Sequence, residues 1–582
     1  MNLIKLKVDK FQHYLDNLID ELNKFIEINF FKKYTTLKSS GRFVFSWIFL
    51  VILLITVVFT QNFMLNDYYQ TSKFSSGGSL SLGVTGLFTN ANPIYANSSV
   101  DSIVSHLLFA SLFKYNNKNQ LVGDLAQSYT LDSTGKIYTV KLRPNIFWQD
   151  GQPITASDVV FTYNTIEDPN SQSPYASSFQ SVSVKALNST TVSFTLPDSL
   201  ASFIYSLTTG ILPQHILNNI PPIDMSSVLF NTANPIGSGP FKWEGIEETG
   251  NSPSNAQSQI DLLPNNKYYG GSPQLSQLII KSYSSNRNLI DAYNNNQVYG
   301  AIGLNNTNLI KAKYTGYNFI YTAGTYVFFK VSTGVLSDLQ VRKSIIEATN
   351  INSIVTSIGY PTLEVVEPLL INQLAFQRAY QQYGYNLSDA NNILTQDGYI
   401  LAKDGYRYKN GQELTFSLTV LNSDLKVAYI LQSQWRKIGV KLNIIAQDPS
   451  SFNLSLQYHQ YDALLNSISI GVDPDVFVYW NSSQINNPST GNLNYSEFSN
   501  KSADLSLEEG RTRLDPALRV IKYQDFLKNW QQQVPAIGLY QPRLLFISHS
   551  VINNLSEAQI NTESDILNNV SNWQINTVRQ TY

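Results

Sequence analysis

The sequence predicts a mixed α/β protein of at least two lobes, set behind a single membrane-spanning helix near its N-terminus. Three observations carry this. The chain has 582 residues, too many for one hydrophobic core. Phe43 to Thr60, "FVFSWIFLVILLITVVFT", runs 18 residues without a charge, about 27 Å of helix against a hydrocarbon layer of roughly 30 Å. From Ser79 onward, short alternating segments interleave with amphipathic helices, the pattern of an α/β body rather than a sandwich or a helical bundle.

Taken in order, residues 1–42 place Phe11, Leu15, Leu18, Leu22, Phe25 and Ile28 on one stripe among charged residues, the pattern of an amphipathic helix. Lys32, Lys33, Lys38 and Arg42 precede the apolar run, and Asp67 and Lys73 are the nearest charges after it. The positive-inside rule therefore puts residues 1–42 in the cytoplasm and the rest outside. No convincing small-residue cleavage site follows in "TQNFMLNDYY", so an uncleaved anchor is expected. Thr71 to Gly78, "TSKFSSGG", reads as a flexible tether.

Ile137 to Leu142 alternates as a strand and stops at Pro144. Asp150-Gly151 turns the chain, and Thr155 with Asp158 has the form of a capping box that opens a helix. Val159, Val160, Tyr163 and Ile166 continue that helix at the right spacing until Pro169 forbids it. Asn251 to Gln259 reads as an exposed loop. Helices are expected over Leu339 to Thr349 and Asp389 to Thr395. In Ser423 to Ala446 a helical stripe (Val427, Ile430, Leu431, Trp435, Ile438) ends at Gly439 and feeds an alternating strand, Val440, Leu442 and Ile444.

Composition narrows the chemistry. Net charge is -2 and 14% of residues are charged, against about 25% in an average globular protein. No basic field exists to hold nucleic acid. The absence of cysteine excludes disulfides, thiolate metal sites, a cysteine nucleophile and a lipidated cysteine. The five histidines (His13, His106, His215, His459, His549) are unclustered and form no H-E-x-x-H, so zinc catalysis has no support. No G-x-x-x-x-G-K-S/T is present, so a separate ATPase must power any uptake. Gly237-Ser238-Gly239 lacks the flanking glycines of a nucleophile elbow. Asp473-Pro474-Asp475 reads as a loop-fixing turn rather than an acid/base pair.

Several motifs then fall in one order. "LAQSY" (Leu125 to Tyr129) leads to Leu142-Arg143 and "WQDGQPITASDVVF" (Trp148 to Phe161). There follow "PIGSGPF" (Pro235 to Phe241), "NKYYGGSP" (Asn266 to Pro273), "DLQVRKS" (Asp338 to Ser344), Asp389 to Tyr399, Trp435 to Leu442 and Asp473-Pro474-Asp475. This series resembles the family-5 extracellular solute-binding proteins of peptide, nickel and related ABC importers, over residues 79–582. One departure is Thr134-Gly135, where the family commonly has Asp-Gly.

The resemblance implies a two-lobed periplasmic-binding-protein-like α/β clamp (type II, in the large version with an extra subdomain), without enzymatic activity or cofactor. The implied layout is a cytoplasmic segment 1–42, an anchor 43–65, a linker 66–78, a first lobe 79–325 with a subdomain inserted at about 113–234, a second lobe 326–539, and a return to the first lobe over 540–582. Such a clamp encloses a peptide or similar solute and passes it to permease and ATPase subunits. The alternative is a surface sensor on the same fold that signals through residues 1–42; a hydrolase using Ser238 is set aside. Expected ligand-lining residues are Asn92, Tyr95, Tyr326, Asn466, Ser467, Ser469, Tyr479 and Trp480. Peptide-binding members hold the ligand ammonium with an Asp shortly before D-P-D. Here Asn466 to Val472 reads "NSISIGV", without an acid. A neutral or N-blocked peptide, a glycan fragment or another uncharged solute therefore stands beside the free peptide as a candidate.

Overall fold

The apolar run forms the middle of a helix, Gly41–Tyr69, in the computed structural model, which describes residues 17–31, 41–250, 252, 254–304, 307–360 and 362–581. The chain divides into two compact units, residues 1–74 with 577–582 and residues 75–576. In the first, Phe45 and Phe59 are 79% and 73% exposed, so no protein covers the 19-residue span Phe43–Gln61. A 29-residue helix is about 43 Å long, more than a bilayer core requires. A shorter helix over residues 17–26 precedes it and loosens into a π turn at Glu27–Phe31, leaving Leu18, Leu22, Phe25 and Ile28 exposed. Phe11, Leu15, Lys32, Lys33 and Lys38 lie outside the described residues. The expected tether is corrected in part. Gln70–Ser75 is a strand, paired with Asn576–Thr581, because its polar residues find a backbone partner at the far end of the chain.

The second unit is built on two large sheets. The first has eight strands in the order Gln559–Ile560, Thr315–Tyr321, Arg543–Ser548, Gly300–Ile302, Ser79–Thr85, Gln277–Tyr283, Gln257–Pro264 and Phe241–Thr249. Its central strand, Ser79–Thr85, runs parallel to both neighbours and buries Leu80, Leu82 and Val84 on one face. The second has five strands in the order Lys441–Gln447, Thr415–Leu421, Ala463–Ser469, Ala323–Phe329 and Ala536–Tyr540. The first three are mutually parallel and the last two close the sheet antiparallel.

The chain passes between the sheets twice, each time straight from one strand into the next. Thr322 links Tyr321 to Ala323, and Gln541-Pro542 links Tyr540 to Arg543. The crossings brace each other: Tyr321 N donates to Pro542 O at 3.0 Å and Gln541 Nε2 to Tyr321 O at 3.2 Å. Ser469 pairs with Ala323 beside the crossing, and Ile302 pairs with Phe546 three residues beyond it. The C-terminal ends of the parallel strands in both sheets therefore face one another, which is where open α/β sheets bind ligands.

A four-stranded sheet, ordered Ala126–Leu131, Ile137–Leu142, Thr191–Thr195 and Ser183–Asn188, carries the predicted strand and helix. The capping box forms, with Thr155 N donating to Asp158 Oδ2 at 2.8 Å, and the helix runs Ala156–Glu167. Val159, Tyr163 and Ile166 are fully buried, and the Tyr163 ring packs edge-on to Phe194 at 5.2 Å. Behind the second sheet, the helix Leu425–Arg436 stops at Gly439 with φ of 79° and feeds Lys441–Gln447. The helices Leu339–Glu347 and Leu387–Gln396 lie where expected, the first two residues shorter. The loop read over Asn251 to Gln259 is shorter than expected, because Gln257 already begins a strand opposite Tyr283.

Candidate functional site

Asp473-Pro474-Asp475 follows the strand Ala463–Ser469 at the edge facing the first sheet. Two arginines hold it. Arg519 forks onto Asp473 with both hydrogen bonds at 2.7 Å, and its Nε donates to Gly510 O at 3.1 Å. Burial opposes the Arg519 charge, but the Asp473 hydrogen bonds and charge outweigh it and hold the guanidinium pKa above its usual value. Arg511 reaches Asp475 at 3.1 Å. The two arginines come from the helices Lys501–Thr512 and Pro516–Gln533, started by the side-chain caps Asn500 and Asp515.

Asp475 also reaches outward: Ser202 Oγ, beyond the four-stranded sheet, donates to its Oδ2 at 2.8 Å. Ala201 N donates to Arg511 O at 3.0 Å and Ser199 Oγ to Thr512 O at 2.9 Å. A cleft between the sheets is thus bridged at the two crossings and again at this catch.

A cavity of about 260 Å³, its lining drawn from residues within 93–268 and 561–568, lies on the first-sheet side, far above the ~10–15 Å³ one water needs and close to the ~300 Å³ where small-molecule pockets begin. His106, Lys114, Asp124, Thr208, Asn561 and Asp565 are among its lining residues. Thr322 Oγ1 donates to Asn561 Oδ1, so the cavity adjoins the crossing. Tyr115, also on its wall, has its phenol pKa raised by burial and further by Asp565, Tyr205 and Asp473, so it senses carboxylates from both sides of the cleft. Lys114 pairs with Asp124 at 2.8 Å; burial opposes its charge, and Asp124 with Tyr268 overcomes that. Burial lowers the His106 pKa against the pull of Asp565 and Asp124, so the ring is neutral near pH 7.

The glycine loop of "PIGSGPF" supports this wall. A Cβ on Gly237 would lie 1.9 Å from Leu108 O, at the end of the helix Ser99–Leu108 that carries His106. Gly239 N donates to Leu108 O at 2.7 Å and Ala110 N donates to Ser238 Oγ at 3.1 Å. Ser238 is buried with its Oγ engaged by that amide, and among the described residues no histidine is its hydrogen-bond partner.

The residues expected to line the ligand separate into two groups. Asn466, Ser467, Ser469 and Tyr479 come together along the end of Ala463–Ser469: Ser467 Oγ meets Thr325 Oγ1 at 2.8 Å and Tyr479 OH donates to Ser469 O at 2.9 Å. Tyr95 is half-buried on the opposite side, and its OH donates to Ser171 O at 2.8 Å. Burial pushes that phenol up to about 12.

Three others are corrected. Tyr326 and Trp480 are fully buried with rings 6.1 Å apart, and Tyr326 OH donates to Glu367 O at 3.0 Å, so neither offers a face to a ligand. Asn92 is fully buried, its Nδ2 donating to Asn231 Oδ1 at 3.0 Å and its Oδ1 accepting from Ile94 N at 3.2 Å. Asp565 and His106 meet in the fold without a shared sequence signal. Thr562 and Asp565 form a capping box legible as T-x-x-D, but nothing in the sequence brings it to His106.

The profile of the bacterial extracellular solute-binding proteins, family 5 (middle region), matches residues 120–489. The chain belongs to this family. Members bind solutes outside the cytoplasm and are not enzymes. This solute-binding protein is 26% identical over 496 residues to the oligopeptide-binding protein AppA of Bacillus subtilis strain 168, covering 81% of this chain and 87% of that one. Its fold matches NikZ from Campylobacter jejuni, solved in complex with Ni(L-His), at 25% identity and a TM-score of 0.72 over 85% of this chain and 99% of NikZ. It also matches the ABC transporter substrate-binding protein CtaP from Listeria monocytogenes, with a TM-score of 0.74 at 24% identity over 86% and 100% of the two chains. The architecture is the family-5 periplasmic-binding-protein fold, preceded here by one apolar helix.

Proposed function

We propose that this solute-binding protein is the membrane-anchored receptor of an ABC importer, enclosing a peptide or similar solute between two lobes and delivering it to the permease. The lobes are residues 79–325 with 540–582, carrying the inserted subdomain 113–234, and residues 326–539. The observation that carries the reading is the pair of single-strand crossings with a catch at the other end of the cleft, since two bodies so joined rotate about the crossings and lock at the catch. AppA is named an oligopeptide-binding protein and NikZ was solved with Ni(L-His), which supports a peptide or a small metal complex as the solute class. The uncovered span Phe43–Gln61 supports anchorage, and the lysines and arginine before it favour a cytoplasmic N-terminus.

Because the chain has no cysteine, Asp198→Cys with Glu508→Cys gives two clean label sites flanking the catch. With full-length protein in nanodiscs, adding a peptide pool is expected to narrow the label-to-label distance distribution. An unchanged distribution with peptide, metal-complex and sugar pools alike refutes the reading. Intact mass distinguishes an anchor, with residues 1–42 retained, from a cleaved leader. The sensor reading draws on the exposed apolar face of residues 17–29. Deleting residues 2–30 tests it: lost signalling with intact uptake favours the sensor.

A further inference from the structure

We infer that Asp565 is the acceptor for a cationic nitrogen of the solute, an ammonium or guanidinium, docked in the cavity beside His106. This rests on the cleft being the solute site. Charge in the cavity does not balance. Its lining carries Asp124 and Asp565 against Lys114, with His106 neutral. Lys114 is fully engaged: its ammonium pairs with Asp124 at 2.8 Å and donates to Tyr268 OH and Tyr269 OH, both at 3.2 Å. Three donors are thereby spent, and an ammonium has three. Lys114 has none left for a solute carboxylate, and its charge is cancelled by Asp124.

Asp565 stands differently. Its Oδ2 accepts from Asn561 N at 2.8 Å and Thr562 N at 3.0 Å, and its Oδ1 accepts from Asn568 Nδ2 at 3.2 Å. All three donors are neutral amides, and Asp565 makes no ion pair among the described residues. A carboxylate has about four lone-pair sites, so one remains for a donor from the cavity. One negative charge without a counter-ion favours a cation rich in N–H groups and repels an anion. The acid absent from Asn466 to Val472 is thereby replaced from the opposite side of the cleft, and peptides with a free N-terminus return as solutes.

The probes are short synthetic peptides of Ala, Ser, Leu and Tyr, which contain no cationic side chain, with the amine free or N-acetylated, titrated into the full-length protein. The free-amine set is expected to bind roughly ten- to a hundredfold more tightly. Asp565→Asn, which keeps an oxygen for the two backbone amides, is expected to erase that preference while leaving the thermal transition in place. Equal affinity for the two sets in the wild type overturns the assignment without need of the variant, as does a preference that survives in Asp565→Asn. So does retention of only amine-free solutes, such as maltodextrins. In each of these cases ligand-dependent narrowing at the Asp198/Glu508 labels still stands for the receptor reading, whereas its failure with every pool removes that reading itself.

Discussion

Replacing Arg519 with alanine tests whether the D-P-D turn is held by a buried ion pair. Asp473 and Arg519 side chains are 9% and 6% exposed, and the fork supplies two hydrogen bonds of 2.7 Å. Arg519→Ala removes both, together with the bond to Gly510 O, and leaves the Asp473 carboxylate sealed from water without a cation. Breaking a buried pair in this way costs about 3–5 kcal/mol. At about 2–4 °C per kcal/mol for a body of this size, the transition is expected to fall by on the order of 10 °C. Urea denaturation followed by tryptophan fluorescence gives the energy and calorimetry the shift. The paired variant Arg519→Met with Asp473→Leu should recover most of the loss, because burying neither charge avoids the desolvation cost. A loss below about 1 kcal/mol, the range of an exposed ion pair, refutes the reasoning. So does a double variant no better than the single one.

Three further outcomes are expected. Gly237→Ala drives a Cβ to 1.9 Å from Leu108 O and should cost about 1–3 kcal/mol in urea denaturation, whereas Gly245→Ala, with nothing within 4 Å of the new atom, should be near neutral. Thr155→Ala opens the capping box and should cost about 1 kcal/mol, read as faster amide exchange in Ala156–Glu167. Burial raises the Glu367 carboxyl from 4.5 to about 8, so the folded state holds a proton that the unfolded chain releases. Its contribution is complete below pH 4.5 and is lost as pH rises through about 8. Glu367→Gln should therefore raise the melting temperature relative to wild type at pH 9 more than at pH 5; equal differences at the two pH values would count against the assignment.

Local chemistry was legible and long-range pairing was not. The Thr155–Asp158 box and the Gly439 stop are contained within a few residues, and both form as read. Tyr326 is expected at the ligand as an aromatic face that could stack on it. Every residue of Ala323–Phe329 is buried, since helices cover both faces of its sheet, and period two carries no signal there. Ser202 and Asp475 are 273 positions apart, and Asn119 and Asn561 are 442 apart. Nothing in either neighbourhood announces the other. The serine and glycine content of residues 71–78 argued for freedom, and only the strand at the other end of the chain removes it.

The place of Arg543–Ser548, between Thr315–Tyr321 and Gly300–Ile302, sets a timetable for biosynthesis. The five-stranded sheet draws all its strands from one uninterrupted stretch, Ala323 to Tyr540, and can assemble as soon as that stretch has emerged. The larger sheet has a vacant slot at its middle until the ribosome has passed Ser548, so the segment made first must wait for one made nearly last. Nascent chains truncated before Arg543 should then protect the later-made half from protease while the earlier half is still cut.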